Sequence, residues 1–502
     1  MNRTKKFLKN TFATALYQVV LMLSGFILPK IILTFYGSEI NGLVISITQF
    51  VNYFTLVEAG LAGAAVYALY KPLADNAHKT ISGIVVATKK FYNISGALFL
   101  IFVIALALIF PLFVTAENLS YMDMLILILI IGVNGTMDFF VLGKYRAILT
   151  ADQKQYLISL GSLGYCVLNT AIIAIFAWLG FNIVIARLAA VGAIIFRSAI
   201  LALYCKKHYN YLDFKQPPIT KALNKRWDAL ILQILGVVHT GSPVVLATIF
   251  TSLKEVSVYA IFNMVMNGIN SVLGIFTTGL GSGFGDLIAR KEKKALQNAY
   301  EEFELIYYML IAFVYSVTMV QIMSFVELYT RGMTDINYNR PFLGMLFVIN
   351  GYLYNLKTPQ GMLVISAGLY KETKKQTLTQ AALAVSVGAI LGAKYGIAGI
   401  LIGSCVSNLY RDIDLIMFIP KHVTGLPIVN SLKNICVSLV GTIVIWLVGS
   451  GMSLRTNTIV DWIINSVIVS CFAILSLLVL LLIFRRKQFA RCKNRILNVL
   501  KR

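Results

Sequence analysis

Charge is what this chain has least of. Asp, Glu, Lys and Arg occupy 13% of its 502 positions, where a soluble domain carries about a quarter. Acidic residues are the scarcer sign, 21 Asp+Glu against 44 Lys+Arg. Cysteine is sparse too: Cys166, Cys205, Cys405, Cys436, Cys471 and Cys492 show no CxxC spacing. All six fall in apolar segments or on the side read below as cytoplasmic, so neither disulfides nor a metal site is implied. Of the four histidines, His78, His208 and His422 fall in loops, and His239 reads as a hydrogen-bonded residue of an apolar segment. No gap between apolar segments is long enough for a soluble domain. No glycine loop ends in GK[ST]: the run Gly279-Leu-Gly281-Ser-Gly283-Phe-Gly285 lacks that ending and reads as close helix packing. Neither nucleotide-driven chemistry nor any cofactor or metal is expected.

What the chain has in abundance is apolar sequence, 58% of positions. It comes in blocks of more than 18 residues, enough for a helix to cross a hydrocarbon core of about 30 Å. In lipid only helices or closed barrels satisfy their own backbone, and these blocks are too long and uniform for barrel strands. The expected fold is therefore all-α and polytopic. About fourteen transmembrane helices are expected near 12–35, 41–69, 91–114, 121–143, 156–179, 181–204, 228–250, 256–285, 304–328, 341–366, 377–394, 396–419, 434–450 and 459–484. The first, following Met1-Asn-Arg-Thr-Lys-Lys, reads as a retained helix rather than a cleaved signal.

The net charge of +23 is topological. With the amino terminus inside, the inner gaps and both tails hold 34 Lys+Arg and the outer gaps five. This is the positive-inside pattern, with a secondary attraction to anionic lipid heads and no implication of nucleic acid. Both termini are then cytoplasmic. Beyond the last span, Phe489, Ile496, Leu497 and Leu500 lie on one side of a basic amphipathic helix expected on the inner leaflet.

The chain reads as a duplication. A shift of 216 residues brings Ser38–Leu43 onto Lys254–Tyr259, Leu149-Thr150-Ala151 onto Ile365-Ser366-Ala367, and Gly180–Ile183 onto Gly396–Gly399. Six spans per half is an even number, so the repeats are parallel, related by a pseudo-two-fold along the membrane normal. The expected organisation is an N-lobe at 1–204, a cytoplasmic linker at 205–227 containing Gln216-Pro217-Pro218, a C-lobe at 228–420, and two extra helices with the tail at 421–502.

The first span ends Pro29-Lys30, and Phe35-Tyr36-Gly37-Ser38-Glu39-Ile40-Asn41-Gly42-Leu43 leads into the second. Together with two six-helix lobes and two extra helices, this resembles the Wzx-type polysaccharide flippases of the multidrug/oligosaccharidyl-lipid/polysaccharide exporter superfamily. The resemblance implies a transporter, not an enzyme. It would move an undecaprenyl-pyrophosphate-linked oligosaccharide from the inner to the outer leaflet of a bacterial cytoplasmic membrane, by ion-coupled rocking of the lobes. The first-span basic residue is often arginine in that family; here it is Lys30, a point charge without the bidentate fork.

Ionisable residues inside spans are costly and are the default functional candidates. The basic set is Lys30, Arg187, Arg197, Lys357 and Arg411; the acidic set is Glu58 and Asp138, with Asp412 and Asp414 beside Arg411. The basic excess suits an anionic pyrophosphate better than a cationic drug. Lys357, beside Pro359 and near Asn350, Asn355, Thr358 and Gln360, is expected to line a substrate path. Lys30 shares the proline neighbour but lies close enough to the outer end to snorkel, and Arg197 reads as an anchor near the inner face. Arg411 is expected to be neutralised by Asp412 or Asp414. Glu58 is expected either to pair with a buried base or to bind the coupling proton or sodium ion. Small residues at Ala59–Ala65 and in the glycine run mark a candidate cytoplasmic gate. Two other functions fit less well. A multidrug exporter of the same superfamily should carry more acidic than basic span residues. A membrane glycan polymerase or ligase should have an outer loop longer than the one at 329–340.

Overall fold

A computed structural model describes residues 3–58, 61–220, 226–277, 280–452, 456–486 and 488–491. Part of the linker, Ala59, Gly60, Gly279 and the tail from residue 492 lie outside the described residues. Among those described the chain is helical throughout, apart from turns and one isolated bridge between Ala116 and Leu119.

The helices in order are α1 Arg3–Phe54, α2 Leu61–Ala74, α3 His78–Phe113, α4 Tyr121–Met137, α5 Gly143–Ala151, α6 Gln155–Trp178, α7 Ile183–His208 and α8 Arg226–Phe250. There follow α9 Leu253–Thr277, α10 Leu280–Ala289, α11 Lys293–Tyr329, α12 Pro341–Leu356, α13 Thr358–Ser366, α14 Lys374–Ile419, α15 Ile428–Ser450 and α16 Ile459–Phe484. Ten stretches among the described residues are long and apolar enough to cross a membrane. Two of these are 51 residues each, about 75 Å of helix against a core of about 30 Å. Each therefore makes two passes, the first broken at Gly37 (φ 81°) and the second at Gly396 (φ 58°), positive dihedrals that glycine adopts without a Cβ penalty. The shorter apolar stretch Ile234–Phe250 and the interrupted pair α12–α13 complete the fourteen passes read from hydropathy.

Local chemistry sets several helix ends. Ser120 and Asp123 form a reciprocal capping box that opens α4, and Thr458 and Asp461 do the same for α16. Asn182 caps α7 by accepting from the Ile185 amide. Among the described residues three passes are interrupted inside the apolar region. The second breaks into a 3-10 turn at Thr55–Glu58, and the fourth into a π turn at Asp138–Leu142. The tenth is divided at Lys357. The 216-residue shift carries 138–142 onto 354–358, so the interruption of the fourth pass recurs in the tenth. It also carries Gly180 (φ 79°) onto Gly396, both with positive φ.

Two compact units emerge. The first holds the chain up to Thr248 together with Ser252–Ala260; the second holds Ile249–Thr251 and everything from Ile261. In the first, α1 lies along α6, α6 along α7, and α3 along α4. Leu43, Ile47, Phe99, Leu127 and Ile148 are among the side chains at its core. Asn41 Nδ2 donates to Ser257 Oγ at 2.8 Å within this unit; these are two positions that the repeat superposes. In the second unit α11 packs on α12, α15 and α16, and α12 on α14. Phe262 and Phe347 stack at its core, 5.3 Å between centroids. Outward faces are apolar, as lipid contact requires: Phe113 is 82% exposed and Trp178 76%.

Helices run past several of the ends that hydropathy indicates. Lys89 and Lys90 lie within α3, and Lys144 and Arg146 within α5. The turn after α5 is tied by Asp152, which pairs with Lys154 at 2.8 Å and Lys6 at 3.3 Å and accepts from the Tyr209 hydroxyl at 2.7 Å. Burial pushes the Asp152 carboxyl upward, but the bonds from Lys154 and Tyr209 outweigh it and hold the pKa below the usual value. The first stretch of the linker is docked on α3: the Ile219 amide donates to the Gly83 carbonyl at 3.1 Å, and the Asp213 amide to Ser82 Oγ at 3.1 Å.

Candidate functional site

The interruptions gather the ionisable residues, one cluster in each unit. In the first unit Asp138, at the start of the π turn, receives Arg197 from α7 in a close ion pair and Arg146 from α5 at 3.3 Å. Glu58, on the 3-10 turn, faces Arg146 and the buried hydroxyl of Tyr92 from α3. Two carboxylates and two guanidinium groups thus balance. Arg197 is 7% exposed and reaches a carboxylate, so it is buried rather than snorkelling. Its guanidinium also lies over the Tyr165 ring of α6, 5.5 Å from the centroid, and Asn134 donates to the Tyr165 hydroxyl at 2.9 Å.

Arg187 differs from Arg197. It sits ten residues earlier on α7, about 15 Å along the axis. Its polar surroundings are the phenols of Tyr165 and Tyr36. Its Nε is buried without a hydrogen-bond partner, and it makes no ion pair among the described residues. Lys30 is half-buried on α1, next to Pro29 and one to two turns before the Gly37 break.

In the second unit the break between α12 and α13 falls at Lys357. Pro359, at the start of α13, has no amide to continue the helical ladder. Lys357 Nζ donates to Asn408 Oδ1 on α14 at 2.7 Å and lies 4.7 Å from the centre of the Tyr354 ring. Asn408 in turn donates to Asn350 Oδ1 at 2.9 Å. Asp412, one turn beyond Asn408 on α14, is within electrostatic reach of Lys357. Arg411 is committed elsewhere: it binds Asp414 at 2.5 Å. Of the two acids open to Arg411 from sequence, Asp414 takes it and Asp412 does not.

Beside this lies an acid not singled out from sequence. Glu304 of α11 is 1% exposed. Its carboxylate accepts from Tyr300 (2.9 Å), Gln360 (3.0 Å), Ser431 (2.7 Å) and Asn434 (2.9 Å), so one side chain joins α11, α13 and α15. Above it Asn355 donates to the Tyr315 hydroxyl at 2.7 Å and to Asn270 at 2.8 Å. Arg146 is likewise not singled out from sequence, because it falls in the gap between the spans expected at 121–143 and 156–179, among the bases that set topology. No group of three or more His, Cys, Asp or Glu suited to a metal occurs among the described residues.

No protein-family profile and no curated protein matches the sequence. Solved structures do. The chain is similar to the lipid II flippase MurJ in an inward closed conformation: TM-score 0.65 and 14% identity over 96% of this chain and 99% of that one. It is similar to an inward-facing multidrug resistance MATE transporter of the MOP superfamily: TM-score 0.61 and 15% identity over 80% of this chain and 95% of that one. It is also similar to the MATE transporter VcmN of Vibrio cholerae in its bent form: TM-score 0.51 and 16% identity over 87% and 98%. At these identities the likeness is one of fold. The chain is a multi-pass helical membrane protein with the fold of these transporters.

Proposed function

We propose that the chain is a flippase of the multidrug/oligosaccharidyl-lipid/polysaccharide exporter superfamily. In this reading it moves an undecaprenyl-pyrophosphate-linked oligosaccharide from the inner to the outer leaflet of the bacterial cytoplasmic membrane, for cell-surface polysaccharide synthesis. The observation that carries the reading is Arg187, a guanidinium within a membrane pass that has no carboxylate among the described residues and a buried Nε without a partner. Such a group needs an anion, and a cationic drug would be repelled by it. Lys357, at an interrupted pass, is the corresponding base of the second unit, since interrupted passes are where transporters commonly bind their substrates. Arg197 and Arg411 then serve to hold Asp138 and Asp414, and Lys30 is a further phosphate contact.

The likeness to a lipid flippase, which spans nearly all of both chains, supports a lipid substrate. Transport proceeds by rocking of two six-helix lobes, 1–204 and 228–420, joined by the linker at 205–227, with 421–502 appended. Glu58 and Asp138 respond to the coupling ion, a proton or sodium, through the balanced cluster that they form with Arg146 and Arg197. The likeness to MATE transporters favours a second reading, a cation-coupled multidrug exporter.

The test is translocation of a lipid-pyrophosphate-linked sugar in vesicles reconstituted with wild type, Arg187→Ala or Lys357→Ala. Gradient-dependent flipping by wild type, reduced about 10-fold or more in each variant, is expected. Flipping unchanged in both variants keeps the activity and removes the site. Cationic dye efflux without flipping hands the protein to the exporter reading.

A further inference from the structure

We propose that Asp412 is a built-in stand-in for the substrate's phosphate, an internal counter-anion that balances the Lys357 charge through space while no head group is bound and competes with a pyrophosphate lipid for it. The inference rests on the substrate chemistry proposed above and adds a residue that limits affinity.

Asp412 is 1% exposed, and neither of its carboxylate oxygens has a hydrogen-bond partner among the described residues. A carboxylate in that state is among the most expensive groups a membrane helix can carry. Glu304, in the same unit, shows the usual solution, with four donors on its carboxylate. Asp412 has instead a single nearby cation. The groups facing it from the surrounding elements are Lys357 at the α12–α13 break, Tyr308 of α11 and Tyr352 of α12. Neither phenol makes a hydrogen bond to Asp412. Tyr308 accepts from Gln360 at 2.8 Å, and Tyr352 bonds Ser438 at 2.6 Å. Arg411, the neighbour on its own helix, is held by Asp414.

Lys357 is placed to serve two positions. Its ammonium bonds Asn408, and Asn408 and Asp412 are four residues apart on α14, on one face of the helix. Four flexible methylenes and an origin at a helix break allow the ammonium to move one turn along that face. The amide is a neutral resting place and the carboxylate a charged one. An incoming phosphate that draws Lys357 away leaves Asp412 uncompensated, and the cost of that lowers the affinity for the phosphate. A transporter gains by such moderation, since a head group bound too tightly would not leave. By linkage, whatever the head group does to Asp412, the Asp412 charge does equally to the head group.

The experiment is binding of farnesyl pyrophosphate to the purified full-length protein in detergent, together with ligand-free thermal unfolding. Both use wild type, Asp412→Asn, Lys357→Ala and the double variant. Asp412→Asn should bind about 10-fold tighter than wild type, within the usual range of coupling between sites. In the Lys357→Ala background the same change should give no gain. Unfolding should be non-additive, with the double variant more stable than the two single losses together imply. Unchanged or weaker binding by Asp412→Asn, or a gain that survives removal of Lys357, overturns the proposal. An additive unfolding cycle overturns the pairing whatever binds. If wild type binds no farnesyl pyrophosphate but the cycle is non-additive, the pyrophosphate reading falls and the Lys357–Asp412 pair stands.

Discussion

Asp138 accepts two guanidinium groups, and its loss would leave more charge behind than that of any other acid in the first unit's cluster. Removing one partner of a buried pair is far costlier than replacing the whole pair by apolar groups. Asp138→Ala is therefore expected to destabilise the protein by about 3 kcal/mol, the lower end for broken buried pairs because Asp138 is partly exposed. Asp138→Ala combined with Arg197→Met should recover part of that loss, read by thermal unfolding in detergent. At this scale sequence gives the inventory but not the pairing. Asp138, Arg197, Lys357 and Arg411 stand out as charges in apolar surroundings, and Asp414 is three residues from Arg411, within helical reach. The Asp138–Arg197 pair spans 59 positions and the Glu304–Asn434 bond 130, separations on which local patterning is silent. Glu304 and Arg146 were missed for one reason. Each sits near the hydropathy-defined end of a pass, where a charge reads as loop until the helix is seen to continue past it.

Helix α14 depends on close approach across its turn at Gly396. A Cβ at Gly403 would lie 2.6 Å from the Cα of Gly388, backbone that cannot rotate aside. Gly403→Ala should therefore force the two passes apart and cost about 1–3 kcal/mol, as overpacking does. Gly192 on α7 has nothing within 4 Å of the same added atom, so Gly192→Ala should change stability by no more than about 0.5 kcal/mol. Thermal unfolding of the two variants side by side decides it. Elements were the most legible scale. Hydropathy located the passes because a lipid-facing helix must be apolar along its whole length. It could not show that the second, fourth and tenth passes are interrupted, because apolar residues fill both sides of each break. Pro359 marked the tenth, and no comparable residue marks the π turn at Asp138–Leu142.

For the whole molecule, fourteen passes and a one-sided distribution of Lys and Arg predict a single orientation. Reporter fusions in the docked linker at 209–219 and after residue 502 should read as cytoplasmic. Fusions in the turns at 116–119 and 331–339 should read as external. A cytoplasmic signal from either turn would remove a pass and break the even count on which parallel repeats depend. The 216-residue offset, visible in three weak sequence matches, recurs as two positive-φ glycines and a pair of equivalent helix breaks. Sequence alone could not rank these matches, since apolar segments align with little specificity. Backbone geometry does rank them, because an interrupted membrane helix is costly wherever it occurs.

The four-donor cradle of Glu304 also bears on how the chain is made. Two of its donors, Ser431 and Asn434, belong to α15 and leave the ribosome more than 120 residues after Glu304 itself. Throughout that interval the growing chain carries a membrane-embedded carboxylate missing at least half of its eventual bonds. A nascent chain ending before α15 would keep that defect for good, and would present the cell's quality-control proteases with a polar flaw that the finished protein hides.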